Sequence, residues 1–280
     1  MKQVMVKKGD GSLEQFDINK LQRSLGRSGA SSSAVEEVSE FIMSKIKDNM
    51  STSEIYTMAF REMRKIQPGA AARYNLKAAL FKLGPEGYPF ETFVGALLKG
   101  RGYSTLLRQN VNGKCINHEI DIIAERPAMN GKPKKKCIIE CKFHNSMGTL
   151  CRIQTALYSW ARYLDVHEQN RDITEGWLVT NTKFSLDSIQ YSNCVGLRLL
   201  GWGFPRAESI QIRVEEKRLY PITILPSMDK RALSLLHNAE VILVPELAKE
   251  SAEHLSTLGI PLNKAEKLID EAKQALSPKE

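Results

Sequence analysis

The sequence predicts an α/β protein in three regions, and two features carry that prediction. Gly84-Pro85-Glu86-Gly87 punctuates the chain between two differently patterned stretches. Beyond it comes a helical pattern, then three strand-like runs, a helix, a strand and a helix, which is the order of a sheet covered by helices. The predicted regions are residues 1–84, a small hairpin with a helical bundle; 85–204, an α/β sandwich; and 205–280, polar, basic text that ends in short helices.

In the first region, QVMVKK and LEQFD are two short strands around the tight-turn signal Gly9-Asp10-Gly11. Asp17 is the expected N-cap of a helix through INKLQRSLGRSG, and Ser33 of one through AVEEVSEFIMSKI. Ser51 or Thr52 caps SEIYTMAFREMRKI. Pro68-Gly69 breaks the pattern, and AAARYNLKAALFKL is a fourth helix. In the second region PFETFVGALLKGRG is helical, and YSTLLRQNV, HEIDIIAER and CIIECKF are strands. TLCRIQTALYSWARYLDVH is the next helix, WLVTN a strand and SLDSIQYSNCVG a helix. The third region closes on MDKRALSLLHNA, VPELAKESAEHLSTLG and PLNKAEKLIDEAKQAL, helical segments joined by short turns.

The chain has 280 residues, 42% of them hydrophobic, enough to bury a core without disulfides or a structural metal. A net charge of +8 points to a polyanionic partner. The five cysteines, Cys115, Cys137, Cys141, Cys151 and Cys194, form no CxxC pair, which argues against a disulfide framework and against structural zinc. They are expected to be reduced thiols in a cytoplasmic protein. MKQVMVKKGDG lacks a long apolar core, and no run of about 18 apolar residues occurs, so neither export nor a membrane span is expected.

The chemistry concentrates in the second region. Asp121 lies in IDIIA, and Glu140-Cys141-Lys142 follow on CIIECKF. Strand alternation puts Glu140 and Lys142 on one face, with Ile139 and Cys141 on the other. Charges in apolar strands are costly unless compensated. Two such strands, meeting as a hairpin, bring two carboxylates and an ammonium together. With the Cys141 carbonyl, Asp121 and Glu140 make a hard-oxygen site for Mg²⁺, and Lys142 can orient a water or stabilise developing charge. A bare D…ExK pattern is short and common, and taken alone it is better explained by a salt bridge on Glu140. Glu91 on the preceding helix adds a carboxylate, and Gln154 and Tyr158 share a helix face at i, i+4. The run Lys132–Lys136 is either a solvated hairpin tip or a phosphate clamp.

Together, Glu91, IDII with Asp121, IIECK and Gln154xxxTyr158 resemble the PD-(D/E)xK nucleases, in particular the Mrr-like restriction endonucleases. The resemblance spans about residues 85–204, with Ile120 where many members carry proline. It implies a restriction-endonuclease-like mixed sheet flanked by helices and Mg²⁺-dependent phosphodiester cleavage of DNA. Asp121 and Glu140 would be metal ligands, Lys142 the catalytic lysine, Glu91 the helical acid and Gln154 a supporting polar residue.

VKKGDGSLEQFDINKLQRSL is similar to the ATP-cone, a small α+β nucleotide-binding domain, through Val6-Lys7-Lys8, Asp10-Gly11, Phe16-Asp17 and Lys20 over about residues 3–83. Thr52-Ser53-Glu54-Ile55 and Arg73-Tyr74 match in kind, while Gly9 stands where a second basic residue is usual. That resemblance implies ATP or dATP as a regulatory ligand, lined by Val6, Lys8, Lys20, Arg23 and Thr52, with switching through a homo-oligomer. HLSTLGIPLNKAEKLIDEAKQAL resembles a helix-hairpin-helix module, for DNA phosphate binding or for packing and dimerisation. The expected function is a DNA endonuclease that responds to adenine nucleotide. The alternatives are an inactive nucleotide-sensing DNA-binding regulator and a junction- or RNA-specific nuclease.

Overall fold

The computed structural model describes residues 4–9, 11–84, 87–128 and 134–277. The chain divides into two compact units, residues 1–79 with 220–280 and residues 80–219. No helix among the described residues is long and apolar enough to cross a membrane.

In the first unit β1 (Met5–Lys7) and β2 (Leu13–Gln15) pair antiparallel, with Val6 opposite Glu14. Asp17 caps α1 (Ile18–Arg27), its carboxylate accepting from Asn19 N. α2 (Ser32–Lys45) starts two residues before the expected position: Ser31, not Ser33, supplies the side chain that accepts from Ala34 N. α3 (Thr52–Ile66) opens on a full capping box between Ser51 and Glu54. The expected fourth helix is two, α4 (Pro68–Tyr74) and α5 (Leu76–Leu80). The expected break falls at Gln67, which ends α3, and Pro68 begins α4 directly after it, because a first-turn residue needs no intrahelical N–H bond. Val6, Leu21, Leu25, Val38, Ile42, Ile55 and Met63 form the core under the hairpin.

The second unit is built on a sheet in the order β3-β4-β5-β7-β9. α6 (Tyr88–Lys99) precedes β3 (Ser104–Asn112), β4 (Asn117–Arg126) and β5 (Lys135–Lys142), which form an antiparallel meander. After the short β6 (Leu150–Cys151), α7 (Ile153–Gln169) carries the chain over to β7 (Glu175–Thr180), parallel to β5. β8 (Lys183–Phe184), α8 (Leu186–Val195), β9 (Arg198–Leu200) and α9 (Ile210–Lys217) complete the unit. The sheet is therefore mixed, with β5, β7 and β9 parallel. Cys137, Ile138 and Ile139 are consecutively buried, so burial on β5 does not alternate even though successive side chains point to opposite faces. Helices cover both faces of such a sheet, and the apolar run follows.

The hairpin that carries Asp121 is anchored at its turn. Asp165 on α7 accepts from Cys115 N at 2.9 Å, Ile116 N at 3.3 Å and His118 Nε2 at 2.8 Å. That anchor fixes the register of β4 against β3, which matters because a one-residue slip would exchange the faces.

The chain then returns to the first unit with α10 (Lys230–Asn238), α11 (Val244–Leu247), α12 (Ala252–Thr257) and α13 (Leu262–Leu276). Ser251 caps α12 and splits the expected single helix after Val244 in two. α13 packs on α4. A Cβ on Gly69 would stand 2.4 Å from Gln274 O, so only glycine permits this approach. The unit boundaries thus differ from three consecutive regions. Residues 205–219 lie with the sheet, and residues 220–280 lie with the N-terminal helices.

Candidate active site

The β4–β5 pairing places Ile122 opposite Ile139, and one further step along the register brings Asp121 beside Glu140. Asp121 Oδ2 accepts from Cys141 N at 2.6 Å. Glu140 Oε2 accepts from Arg162 Nη1 at 2.5 Å. Glu91, on α6, is 8% exposed. Its Oε2 lies 3.5 Å from Arg108 Nη1 and is a buried atom without a hydrogen-bond partner among the described residues. Lys142 is exposed at the C-terminal end of β5, where Thr180 Oγ1 donates to its carbonyl at 2.7 Å. Gln154 is exposed in the first turn of α7, and no hydrogen bond ties it to these carboxylates among the described residues.

Three acids share a small, part-buried volume, and all three are pushed above the ordinary carboxylate range. Burial, then the charge of Asp121, pushes Glu140 up to about 7, although Arg162 and Lys142 pull it back. Burial, then Asp121, likewise pushes Glu91 up to about 7. Burial also raises Asp121, against the hydrogen bond from Cys141 N. The cluster is short of positive charge, which a divalent cation would supply. Among the described residues no three His, Cys, Asp or Glu side chains already stand as a chelating set. The Cys141 N–H takes Asp121 Oδ2 and Arg162 takes Glu140 Oε2, which leaves the second oxygen of each carboxylate for a ligand. The donors that fit are two carboxylates and the Cys141 carbonyl, with the orphaned Glu91 oxygen beside them.

These raised values have a sign. A carboxyl whose folded pKa lies above its unfolded one stabilises the fold below the unfolded pKa, and that contribution is lost as pH rises through the folded value. Metal-free protein is therefore expected to lose stability between the ordinary carboxylate range and about pH 7 as Glu140 and Glu91 ionise. Divalent-ion affinity runs the other way, because ligands must shed protons first. Isothermal titration with Mn²⁺ is expected to show roughly tenfold tighter binding at about pH 8 than at about pH 6.

In the first unit, Lys8 and Lys20 both reach the Glu14 carboxylate. Lys20, then Lys8, draws Glu14 down to about 2. Arg23 turns elsewhere, its Nη2 3.9 Å from Asp17 Oδ2 and its Nε donating to Asn19 O. The Val6 side chain is buried in the core and leaves only its backbone for a ligand. Thr52 is exposed at the start of α3, which Lys7 N meets by donating to Met50 O at 3.0 Å. Asp10 lies outside the described residues. So do Lys132 and Pro133 of the basic run, whose remaining lysines, Lys134, Lys135 and Lys136, pair with Glu125, Glu175 and Asp172.

Two arginines at the acid cluster escaped sequence reasoning. Arg162 continues the spacing of Gln154 and Tyr158 by another turn, so extending that pattern would have found it. Arg108 sits beside Asp121 with φ at 51°, rare for a non-glycine residue within a strand, and no sequence pattern announces it.

Comparison with known proteins divides the chain in the same places. An ATP cone domain model matches residues 4–77, a restriction endonuclease model residues 85–200, and a model described as AF1548-like, C-terminal, residues 220–276. An uncharacterized protein of Archaeoglobus fulgidus is 38% identical over 180 residues, which is 64% of this chain and 98% of that one. The crystal structure of the protein of unknown function AF1548 matches with a TM-score of 0.58 at 38% identity, covering 66% of this chain and 96% of that chain. The meander with its crossover, the acid pair on β4 and β5 and these matches agree: the chain belongs to the AF1548-like family, and it joins an ATP-cone domain to an Mrr-type restriction-endonuclease domain of the PD-(D/E)xK kind.

Proposed function

We propose that this protein is a Mg²⁺-dependent DNA endonuclease whose activity responds to ATP or dATP. The observation that carries the reading is the convergence of Asp121, Glu140 and Glu91, two of them held near neutral pKa, beside the exposed Lys142. Bound Mg²⁺, held by Asp121, Glu140 and the Cys141 carbonyl, would polarise the scissile phosphate and acidify a water. Lys142, on the strand end, would orient that water or meet the charge that develops on the phosphate. Glu91 would accept a proton or hold a water near the metal. The net charge of +8 suits a nucleic-acid substrate.

In the cone, Lys8 and Lys20 act as point charges for triphosphate oxygens. Their shared partner Glu14 has to give way, so nucleotide competes with Glu14 for both lysines. A nucleotide regulates only if it binds one state better than another. The test uses supercoiled plasmid with Mg²⁺, with and without ATP and dATP. Cleavage that changes with nucleotide is the expected result. Absence of cleavage under every condition would favour a DNA-binding regulator. Calorimetry tests the cone by itself: no heat with either nucleotide removes the regulatory half, whereas Glu14→Gln is expected to tighten nucleotide binding several-fold by freeing both lysines.

A further inference from the structure

Glu140 must offer an oxygen to the proposed metal, and in the folded chain its other oxygen is already held. Arg162 Nη1 donates to Glu140 Oε2 at 2.5 Å and to Glu119 O at 2.9 Å, while Nη2 reaches the Tyr158 hydroxyl. The guanidinium also lies over the Tyr158 ring, 4.8 Å from its centroid. Side chains of Arg162 and Glu140 are only 15% and 20% exposed.

Two of these contacts do not involve Glu140. The backbone of β4 and the tyrosine of α7 fix the guanidinium whether or not the carboxylate is present. Arg162 is thus a template and Glu140 the group it orients. A planar fork can hold one carboxylate oxygen in a set direction, which a flexible ammonium cannot. With Oε2 on Arg162, Oε1 is the oxygen left for a metal shared with Asp121.

We infer that Arg162 is a positioning residue of the metal site, gripping Glu140 by Oε2 so that Oε1 faces the ion. The inference rests on the proposed metal site, and its sign is specific. Groups that orient a ligating carboxylate typically cost about 10- to 100-fold in metal affinity when removed. A cation that merely competed with the metal for Glu140 would do the opposite, and its removal would tighten binding.

The experiment is calorimetric titration of the full chain with Mn²⁺, comparing wild type, Arg162→Met and Arg162→Lys, with thermal melts in EDTA alongside. Arg162→Met is expected to weaken Mn²⁺ binding by about 10- to 100-fold, and Arg162→Lys, which keeps the charge but loses the fork, by an intermediate factor. Unchanged affinity with a lower melting temperature would make the role structural and overturn the inference. Tighter binding would overturn it in favour of competition. Should Arg162→Met fail to fold, Arg162→Lys decides, and wild-type affinity in that variant overturns the inference. If wild-type protein binds no Mn²⁺, the metal site itself falls and takes this inference with it. That outcome differs from normal wild-type binding with an indifferent variant, which removes Arg162 alone.

Discussion

Replacing Lys142 with alanine is expected to lower Mg²⁺-dependent plasmid cleavage about 100- to 1,000-fold, the usual cost of deleting one preorganised group aimed at developing charge. The residue is suited to so clean a test. It is exposed at the end of β5, and the local backbone is held by Thr180 Oγ1 on the Lys142 carbonyl, which alanine keeps. Stability should therefore shift by no more than about 0.5 kcal/mol. Asp121→Asn is a useful companion. The amide is nearly isosteric, but it cannot supply the anionic oxygen a hard cation prefers, so Mn²⁺ affinity should fall with cleavage. In Lys142→Ala the metal should still bind. Wild-type cleavage by Lys142→Ala would remove the lysine from the mechanism whatever the metal does.

Much of this site was legible in the sequence because it uses local order. Asp121 and Glu140 are conspicuous as charges in apolar runs, and strand pairing needs only a hairpin to join them. β5 is buried on consecutive residues, because helices cover both faces of the sheet. What pattern reading missed depends on tertiary placement. Arg162 becomes part of the site only once α7 crosses beside β4 and β5, and Arg108 only through its backbone conformation. Gln154, prominent in the motif, is exposed in the first turn of α7 and holds none of the acids by hydrogen bond among the described residues. The Ser31 cap shows a smaller limit: with Ser31, Ser32 and Ser33 in a row, sequence alone gave no reason to choose the first.

The second large effect is expected at Arg73, far along the chain from the acids. It is 6% exposed, and it donates to Ser28 O at 2.6 Å, Gly29 O at 3.3 Å, Ala275 O at 3.2 Å and Ser277 O at 3.3 Å. Ser28 is the C-cap of α1 and Ser277 that of α13, so one guanidinium serves the carbonyl ends of two helices. Those ends carry partial negative charge and unsatisfied acceptors, and a cation there answers both. Arg73→Ala strips that compensation from buried carbonyls, with an expected loss of about 3–5 kcal/mol, larger than one ordinary hydrogen bond. Arg73→Lys should recover part of it, since an ammonium offers charge without the fork. Gly69→Ala, which drives a Cβ against Gln274 O on the same α4–α13 contact, should cost about 1–3 kcal/mol by overpacking. Urea unfolding followed by circular dichroism would measure all three, with transitions fitted separately because the chain has two compact units. If α13 completes the cone as these contacts require, Arg73→Ala should also weaken nucleotide binding at temperatures where the wild type is fully folded. An Arg73→Ala midpoint indistinguishable from wild type would mean that α13 is a passenger on this unit rather than part of its core.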